Sequence, residues 1–180
     1  MPKKQIYINL DDIIIRPWKI EDAGDLVFHA NNLNISKNLR DAFPHPYTLA
    51  DAHKWLDKNL HEDNNDATGA ITIDNHIIGG IGLHPMDDVY RYNAELGYWL
   101  SEQYWNRGIM TKTVKAICAY TFENFETHRI FAGVFENNPA SEKLLLNAGF
   151  TKEATLKQSI FKNGVFLSEH LYSLLKTDVV

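Results

Sequence analysis

Hydrophobic and polar positions along this chain follow two periods, and each period predicts a different element. Short runs rich in aliphatic and aromatic residues, bounded by turn residues, are typical of strands. Asn75-His76 is predicted to join two of these strands in a hairpin, and Lys162-Asn163-Gly164 to join the last two. The predicted strands before that last hairpin are 13–16, 70–74, 77–83, 94–100 and 129–135.

Helical spacing of apolar positions predicts three helices in the first two thirds of the chain. One covers 20–30, and a second begins at Thr48, where Asp51 three positions on is close to a capping box. The third covers 108–125. Its apolar stripe consists of Met110, Val114, Ile117, Cys118 and Phe125.

A fourth helix follows Asn138, which is a good N-cap with Pro139 at the first helical position. Gly149 is a good C′ residue, and Phe150 is expected to pack back onto Leu145 as in a Schellman motif. The predicted order is strand, two helices, three strands, helix, strand, helix and two strands. This order predicts a mixed α/β domain built around one sheet.

Composition narrows the class of protein and its partners. A chain of 180 residues with 44% hydrophobic residues and no internal repeat predicts a single domain over 1–180 with its own core. The net charge of −5 makes nucleic acid a poor partner and mildly favours an amine-bearing substrate. The single cysteine excludes an intrachain disulfide, and no apolar run reaches signal-peptide or membrane-span length. We therefore expect a cytoplasmic protein that does not enter a membrane.

The stretch before the third helix has the features of an anion site. Asn106, Arg107 and Gly108 lie at the start of that helix, where backbone N–H groups and the helix dipole favour a negative charge. The chain has neither a Walker loop nor a three-glycine dinucleotide motif. A one-glycine turn that holds a pyrophosphate on consecutive amides remains, and the alternative is a simple turn.

Two segments together resemble the GNAT superfamily of acetyl-CoA-dependent N-acetyltransferases. They are AELGYWLSEQYWNRGIMTKTV (94–114) and ENNPASEKLLLNAGF (136–150), and the match is most similar to the ribosomal-protein N-terminal acetyltransferase branch. The resemblance extends from IIIRPWKIEDA to EHLYSLL, which is nearly the whole chain. It implies the GNAT acyl-CoA N-acyltransferase fold, with one mostly antiparallel sheet splayed at the cofactor cleft and flanked by helices.

The resemblance also implies a set of acetyl-CoA-binding residues. The family's pyrophosphate-binding pattern maps onto 105–110, with Trp105 in place of Gln or Arg and Met110 in place of Gly or Ala. Strand residues are expected to pair with the pantetheine amides, and the amides of 107–111 to hold the pyrophosphate. The implied set is Tyr98, Trp99, Leu100, Trp105, Asn106, Arg107, Gly108, Ile109, Met110, Thr111, Asn138 and Ser141.

The reaction that the resemblance implies needs a free amine. An α-amino group with a pKa of about 7.7 to 8.0 is roughly a tenth free at neutral pH, so a modest base or a water relay suffices. Glu95 is the candidate base, and the alternative is a solvated glutamate at a strand start. Ile160 replaces a hairpin glutamate found in the ribosomal branch, which leaves Glu95 or Glu169 as the base. His84, at a predicted strand end, is a spare candidate, and the alternative for it is a role without chemistry.

Departure of the coenzyme A thiolate needs a donor, and the resemblance implies Ser141 for this role. Asn138 is expected both to cap its helix and to contact the coenzyme. No His or Cys spacing predicts a metal site.

The sequence leaves the acceptor open. A protein N-terminus, such as that of a ribosomal protein, is the first hypothesis. A polyamine, an aminoglycoside or an amino acid, and a non-catalytic acyl-CoA sensor on the same fold, are the alternatives. RDAFPHPY (40–47) is expected to form the acceptor wall, and a homodimer is the assembly that the branch suggests.

Overall fold

The strands that this sequence forms belong to one mixed sheet in the computed structural model, which describes residues 6–61 and 67–179. Within that described part the sheet has eight strands in the order β1-β2-β3-β4-β5-β6-β8-β7. The strands are β1 (Ile8–Leu10), β2 (Ile13–Arg16), β3 (Ala67–Ile73), β4 (His76–Pro85), β5 (Asn93–Leu100), β6 (Arg129–Phe135), β7 (Thr151–Lys162) and β8 (Val165–Leu175). The helices are α1 (Ala23–Ala30), α2 (Leu33–Ser36), α3 (Leu49–His61), α4 (Ile109–Asn124) and α5 (Pro139–Asn147).

Strand pairing is mostly antiparallel, as predicted. The β1/β2, β2/β3, β3/β4, β6/β8 and β7/β8 ladders are antiparallel. The β5/β6 ladder is parallel and joins Asn93–Glu95 to Arg129–Phe131. The predicted mixed α/β fold with one sheet flanked by helices is therefore confirmed.

The described residues fall into two compact units. Unit 1 comprises the described parts of Met1–Leu83 together with Gly97–Ile109, and unit 2 comprises His84–Leu96 and the described part of Met110–Val180. The single-domain organisation over 1–180 stays a prediction.

Unit 1 has a core in which side chains of α1, α3, β3 and β4 pack with Trp18 and Tyr47 from the connecting segments. Trp18 and Trp55 meet edge to face with ring centroids 6.0 Å apart. Burial of such large apolar side chains is the main stabilising term. The buried members are Trp18, Ala23, Leu26, Ala30, Tyr47, Ala52, Leu56, Ala70 and Ile77.

Unit 2 covers one face of its strands and leaves the other partly open. Ile130, Ala132 and Val134 on β6 are buried, as are Tyr172 and Leu174 on β8. Side chains alternate along a strand, so the residues between these lie on the second face. Helix α4 contributes Met110, Val114, Ile117 and Cys118 to the core as predicted.

Two predicted helix details hold and one is wrong. Gly149 has a φ of +99°, and the N–H of Phe150 donates to the Leu145 carbonyl at 3.0 Å, which is the predicted Schellman closure. Phe125 was predicted in the α4 stripe, but it lies beyond the helix end and is half-buried. Phe122 is the buried aromatic, because it is one turn after Cys118.

The hairpin turns follow local chemistry to within one residue. Asn163 and Gly164 have positive φ values of 51° and 84°, as a tight hairpin turn requires. The β3/β4 turn lies at Asp74-Asn75, with φ values of 49° and 66°, and not at Asn75-His76 as predicted. Strand β1 and helix α2 were not predicted, because both are short and have little periodicity.

Among the helices that the structure describes, none has the length and apolar character needed to span a bilayer. The lysine-containing stretch 1–5 lies outside the described residues.

Candidate active site

The predicted anion turn is exposed and lies directly before α4. A short 3-10 helix at Glu102–Tyr104 leads into it. Asn106 and Gly108 have left-handed φ values of 58° and 73°. A Cβ on Gly108 would meet no atom within 4 Å, so the space in front of the turn is open. The backbone can therefore be approached closely at the start of a sixteen-residue helix.

Trp105 shapes this turn through its indole. Its Nε1–H donates to the carbonyl oxygen of Leu100 at 2.8 Å, closing the loop onto the end of β5. The indole N–H is the only donor of a tryptophan side chain. Trp105 therefore lacks the additional donor groups that Gln or Arg has in the family pattern.

Side chains after the turn divide between solvent and core. The Arg107 guanidinium is exposed and lies 5.3 Å from the centroid of the Tyr104 ring. Ile109 and Met110 are buried, with 6% and 5% exposure. Met110 can replace a small residue because its side chain packs into the core. Thr111 is half-buried.

A hydrogen-bonded network within unit 1 joins α1 and α2 to the residues before this turn. Nδ1 of His29 lies 2.9 Å from Oγ of Ser101. Asn32 donates to the Glu102 carboxylate at 2.6 Å, and Asn34 donates to it at 3.1 Å. The hydrogen bond from Asn32, followed by that from Asn34, holds the pKa of Glu102 below its ordinary value. Burial lowers the pKa of His29.

This network was missed at the sequence level, because its partners are about seventy positions apart. Its hydrogen bonds connect the residues that precede the turn to α1 and α2.

Trp99, predicted to contact the cofactor, has a side chain that packs inside unit 1. A Cβ on Gly80 would lie 2.7 Å from Nε1 of Trp99 and 3.1 Å from the Trp18 ring, so the missing side chain makes room for both indoles. The Phe43 ring lies 5.7 Å from the Trp99 ring. The expected acceptor-wall segment 40–47 therefore contacts the same strand as the expected pantetheine residues. Only the backbone of Trp99 remains suited to that pairing.

Tyr98 and Leu100 flank Trp99 on β5. Tyr98 is half-buried and Leu100 is buried, with its carbonyl oxygen already accepting from Trp105. A carbonyl oxygen has two lone pairs, so this bond still leaves room for a second donor.

In unit 2, Glu95 is half-buried on β5 opposite Phe131 of β6. It lies on the partly open face, because its neighbours Ala94 and Leu96 are buried. Glu169 on β8 is opposite Phe135 and shares that face. The structure thus brings the two candidate carboxylates onto one face of the same unit. His84 is half-buried near the end of β4.

Ser141 lies in the first turn of α5 and is half-buried. Its backbone N–H donates to Oδ1 of Asn138 at 3.3 Å, so the predicted N-cap is present. The cap uses the oxygen of the Asn138 amide, and the amide nitrogen can still donate elsewhere. Ile160 pairs with Leu167 in the β7/β8 ladder and provides no carboxylate.

Glu142, next to Ser141, has two partners on β8 that sequence reasoning missed. Its carboxylate accepts a hydrogen bond from Nδ1 of His170 and another from the Tyr172 hydroxyl. Burial, followed by the Glu142 charge, raises the pKa of Tyr172. A glutamate one position after Ser141 was the only signal in the sequence.

In the described part of the chain, no group of three or more His, Cys, Asp or Glu side chains is placed to hold a metal ion. The side chains and backbone groups described above can provide proton transfer by carboxylates, hydrogen bonding by a hydroxyl, and anion binding by backbone amides.

A family model matches most of the chain. The model described as Acetyltransferase (GNAT) domain matches residues 12–151. Uncharacterized N-acetyltransferase YoaA of Bacillus subtilis is 36% identical over 100 residues, which is 56% of each chain. Probable N-acetyltransferase YjcK of the same species is 29% identical over 92% of this chain and 95% of that protein. Ribosomal-protein-serine acetyltransferase of Escherichia coli is 28% identical over 68% and 69% of the two chains.

Solved structures share the fold. RimL, a ribosomal L7/L12 alpha-N-protein acetyltransferase in complex with coenzyme A, superposes with a TM-score of 0.83 at 20% identity over 94% of this chain and 98% of that one. MccE in complex with acetyl-CoA and AMP has a TM-score of 0.82 at 20% identity over 92% and 93%. Spermidine N-acetyltransferase from Vibrio cholerae, in complex with CoA and spermine, has a TM-score of 0.79 at 20% identity over 93% and 98%.

Proposed function

Because the chain belongs to the GNAT acetyltransferase family, we propose that it transfers the acetyl group of acetyl-CoA to the N-terminal α-amine of a protein such as a ribosomal protein. The observation that carries the donor half of this proposal is the open left-handed turn at Asn106–Gly108 before α4. The acceptor half is supported by the similarity to the E. coli ribosomal-protein-serine acetyltransferase.

Acetyl-CoA is the acetyl donor in this proposal. The backbone amides of 107–111 would hold its pyrophosphate, and the exposed Arg107 would add a positive charge. The backbone of Tyr98, Trp99 and Leu100 would pair with the pantetheine amides as an added strand does. Asn138 would donate its amide N–H to the coenzyme while its oxygen keeps the cap.

The reaction divides between two side chains of unit 2. Glu95 accepts a proton from the acceptor ammonium, directly or through a water, and the N–H electron pair stays on nitrogen. That nitrogen attacks the thioester carbonyl carbon, and the tetrahedral oxyanion collapses with cleavage of the C–S bond. The Ser141 hydroxyl donates a hydrogen bond to the departing thiolate, which stabilises its charge without full proton transfer.

The ionisation of the acceptor favours an α-amine. A lysine-like ammonium with a pKa of about 10.4 is almost entirely charged at neutral pH, whereas an α-ammonium near 7.7 to 8.0 is roughly a tenth free. One half-buried carboxylate is a modest base. Such a base removes a proton from an α-ammonium more readily than from a lysine-like ammonium.

A polyamine is the second candidate acceptor. The fold shared with the spermidine N-acetyltransferase and the two glutamates on one face of unit 2 support it. A polyamine carries several positive charges, which would suit two carboxylates.

Release of free coenzyme A thiol with a panel of amines tests the proposal. The panel contains peptides that begin with Ser or Ala, the same peptides acetylated at the N-terminus as matched controls, and spermidine. We expect turnover with the free peptides and none with the blocked ones. Turnover with spermidine and with neither peptide would show that the acceptor is a polyamine and not a protein N-terminus. Release no faster than the uncatalysed background with every amine would instead favour a non-catalytic sensor.

A further inference from the structure

Glu169 has a side chain that lies across the neighbouring strand. It is opposite Phe135 in the β6/β8 ladder, and Gly133 is two residues away on β6. A Cβ on Gly133 would overlap a carboxyl oxygen of Glu169, and it would lie 2.7 Å from the carboxyl carbon. The Glu169 carboxylate therefore occupies the space that a side chain at position 133 would fill.

Register places this carboxylate on the same face of the sheet as the candidate base. Directly opposed residues share a face, so Glu169, Phe135, Gly133 and Phe131 lie on one side of β6. The parallel β5/β6 ladder places Glu95 next to Phe131 on the same side. Because Glu169 reaches back over Gly133, its carboxylate lies toward the Glu95 end of the strand and not above its own partner.

This face has room for a ligand. Gly133 is exposed, and Glu95 and Glu169 are half-buried. The residues of the opposite face, Ile130 and Ala132, are 0% and 2% exposed. A half-buried carboxylate interacts more strongly with a cation than a fully solvated one does, because water screens it less.

We propose that Glu169, held over Gly133, binds the ammonium group of the acceptor while Glu95 removes its proton. This inference rests on the proposed acetyltransferase function and adds a residue that selects cationic acceptors. An α-ammonium has three N–H bonds. One points to Glu169 as a charge-assisted hydrogen bond, and a second gives its proton to Glu95. The electron pair left on nitrogen then attacks the thioester, and the thiolate departs.

The two carboxylates differ in what they do to the reaction. A carboxylate that only binds stabilises the ammonium form, which helps capture and does not help deprotonation. Loss of the binding carboxylate should therefore raise KM for the amine, whereas loss of the base should lower kcat. Glu169→Gln keeps the shape and removes the charge. We expect KM for a Ser-starting peptide to rise about tenfold, with kcat within threefold and KM for acetyl-CoA unchanged.

Gly133 provides a test that leaves the carboxylate in the protein. Gly133→Ala should displace the tip of Glu169 and raise KM for the amine as Glu169→Gln does. The strand tolerates alanine, because Gly133 does not have a left-handed φ and the overlapping atom is the end of a flexible side chain. Glu169→Ala is the matched background. There, Gly133→Ala should have no further effect on KM, since no carboxylate remains to be displaced.

An inhibitor with a fixed charge provides the readout that separates charge recognition from a structural role. A peptide guanidinylated at its N-terminus stays cationic at neutral pH, keeps N–H donors for Glu169 and has no amine to be acetylated, while the N-acetylated peptide is neutral. In the wild type the cationic peptide should inhibit more strongly than the neutral one. In Glu169→Gln this difference should largely disappear.

Two results would overturn the inference. One is an unchanged amine KM in Gly133→Ala or in Glu169→Gln, each shown to be folded by its thermal unfolding. The other is an unchanged preference for the cationic inhibitor in Glu169→Gln. Failure of the proposed function is a separate result, because the wild-type protein would then release thiol with spermidine alone, or no faster than the uncatalysed background with every amine.

Discussion

The carboxylate of Glu142, in the first turn of α5, accepts a hydrogen bond from Nδ1 of His170 on β8. Tyr172 on the same strand provides the second donor. The first turn of α5 is thereby tied to the sheet of unit 2 next to Ser141. Since neither contact uses the Ser141 side chain, removal of its hydroxyl should leave this anchor in place.

Ser141→Ala should therefore reduce catalysis in a folded protein. We expect kcat to fall about tenfold to a thousandfold, with little change in acetyl-CoA affinity, because one hydrogen bond to the departing thiolate is lost. Single-turnover kinetics and calorimetry measure the two quantities. Ser159→Ala, on the exposed β7 strand, is the control. A wild-type chemical step in Ser141→Ala would remove this residue from the mechanism.

Gly108→Asp should weaken acetyl-CoA binding. The substitution puts a negative charge and a side chain where the phosphates are expected to approach, at an exposed position with a φ of +73°. Gly164→Asp is the matched control, because Gly164 is also exposed, has a φ of +84° and lies in the β7/β8 turn, which is not part of the proposed acetyl-CoA site. We expect at least a tenfold loss of affinity by calorimetry for the first variant and none for the second. Equal affinities would show that the pyrophosphate lies elsewhere.

Glu95→Gln should lower activity at neutral pH by removing the base while keeping the shape. With an acceptor amine of pKa about 8, activity should recover partly as pH rises, because more of the amine is then free. With an acceptor amine of pKa about 10, the activity of Glu95→Gln should fall further at the same pH. The measurement is a pH–rate profile of kcat/KM for both acceptors. A profile that overlays the wild type would transfer the role of base to another group, and Glu169 and His84 would be tested next.

His29 should make the free energy of unfolding depend on pH. Burial holds its pKa in the folded protein below 6.5, so the native state takes up this proton later than the unfolded state does. Its contribution to stability is complete above about pH 6.5 and is lost as the pH falls through the lower folded pKa. In His29→Gln the decline in stability below about pH 6.5 should be less steep.

Urea unfolding at a series of pH values measures this slope. His53→Gln, at an exposed position on α3 in the same unit, is the control and should keep the wild-type slope. An unchanged slope in His29→Gln would assign the pH dependence to other groups.

Local chemistry was readable from the sequence. Asn138 and Pro139 predicted the start of α5, and Gly149 and Phe150 predicted its closure, because each of these signals involves residues a few positions apart. The turn at Asn163-Gly164 is similar, since glycine and asparagine accept the positive φ that a tight hairpin requires. The motif resemblance added the family, and the mixed sheet followed from the order of elements.

Relationships between distant residues were decided only by the tertiary structure. Glu169 reaches Gly133 across a strand pair, Glu142 meets His170 between a helix and a strand, and His29 meets Ser101 seventy-two positions later. Each depends on strand register or on how a helix packs, and a shift of one residue would turn every such side chain to the opposite face. Periodicity assigns a residue to one face of its own element. Which carboxylate, imidazole or hydroxyl it meets depends on the element paired beside it.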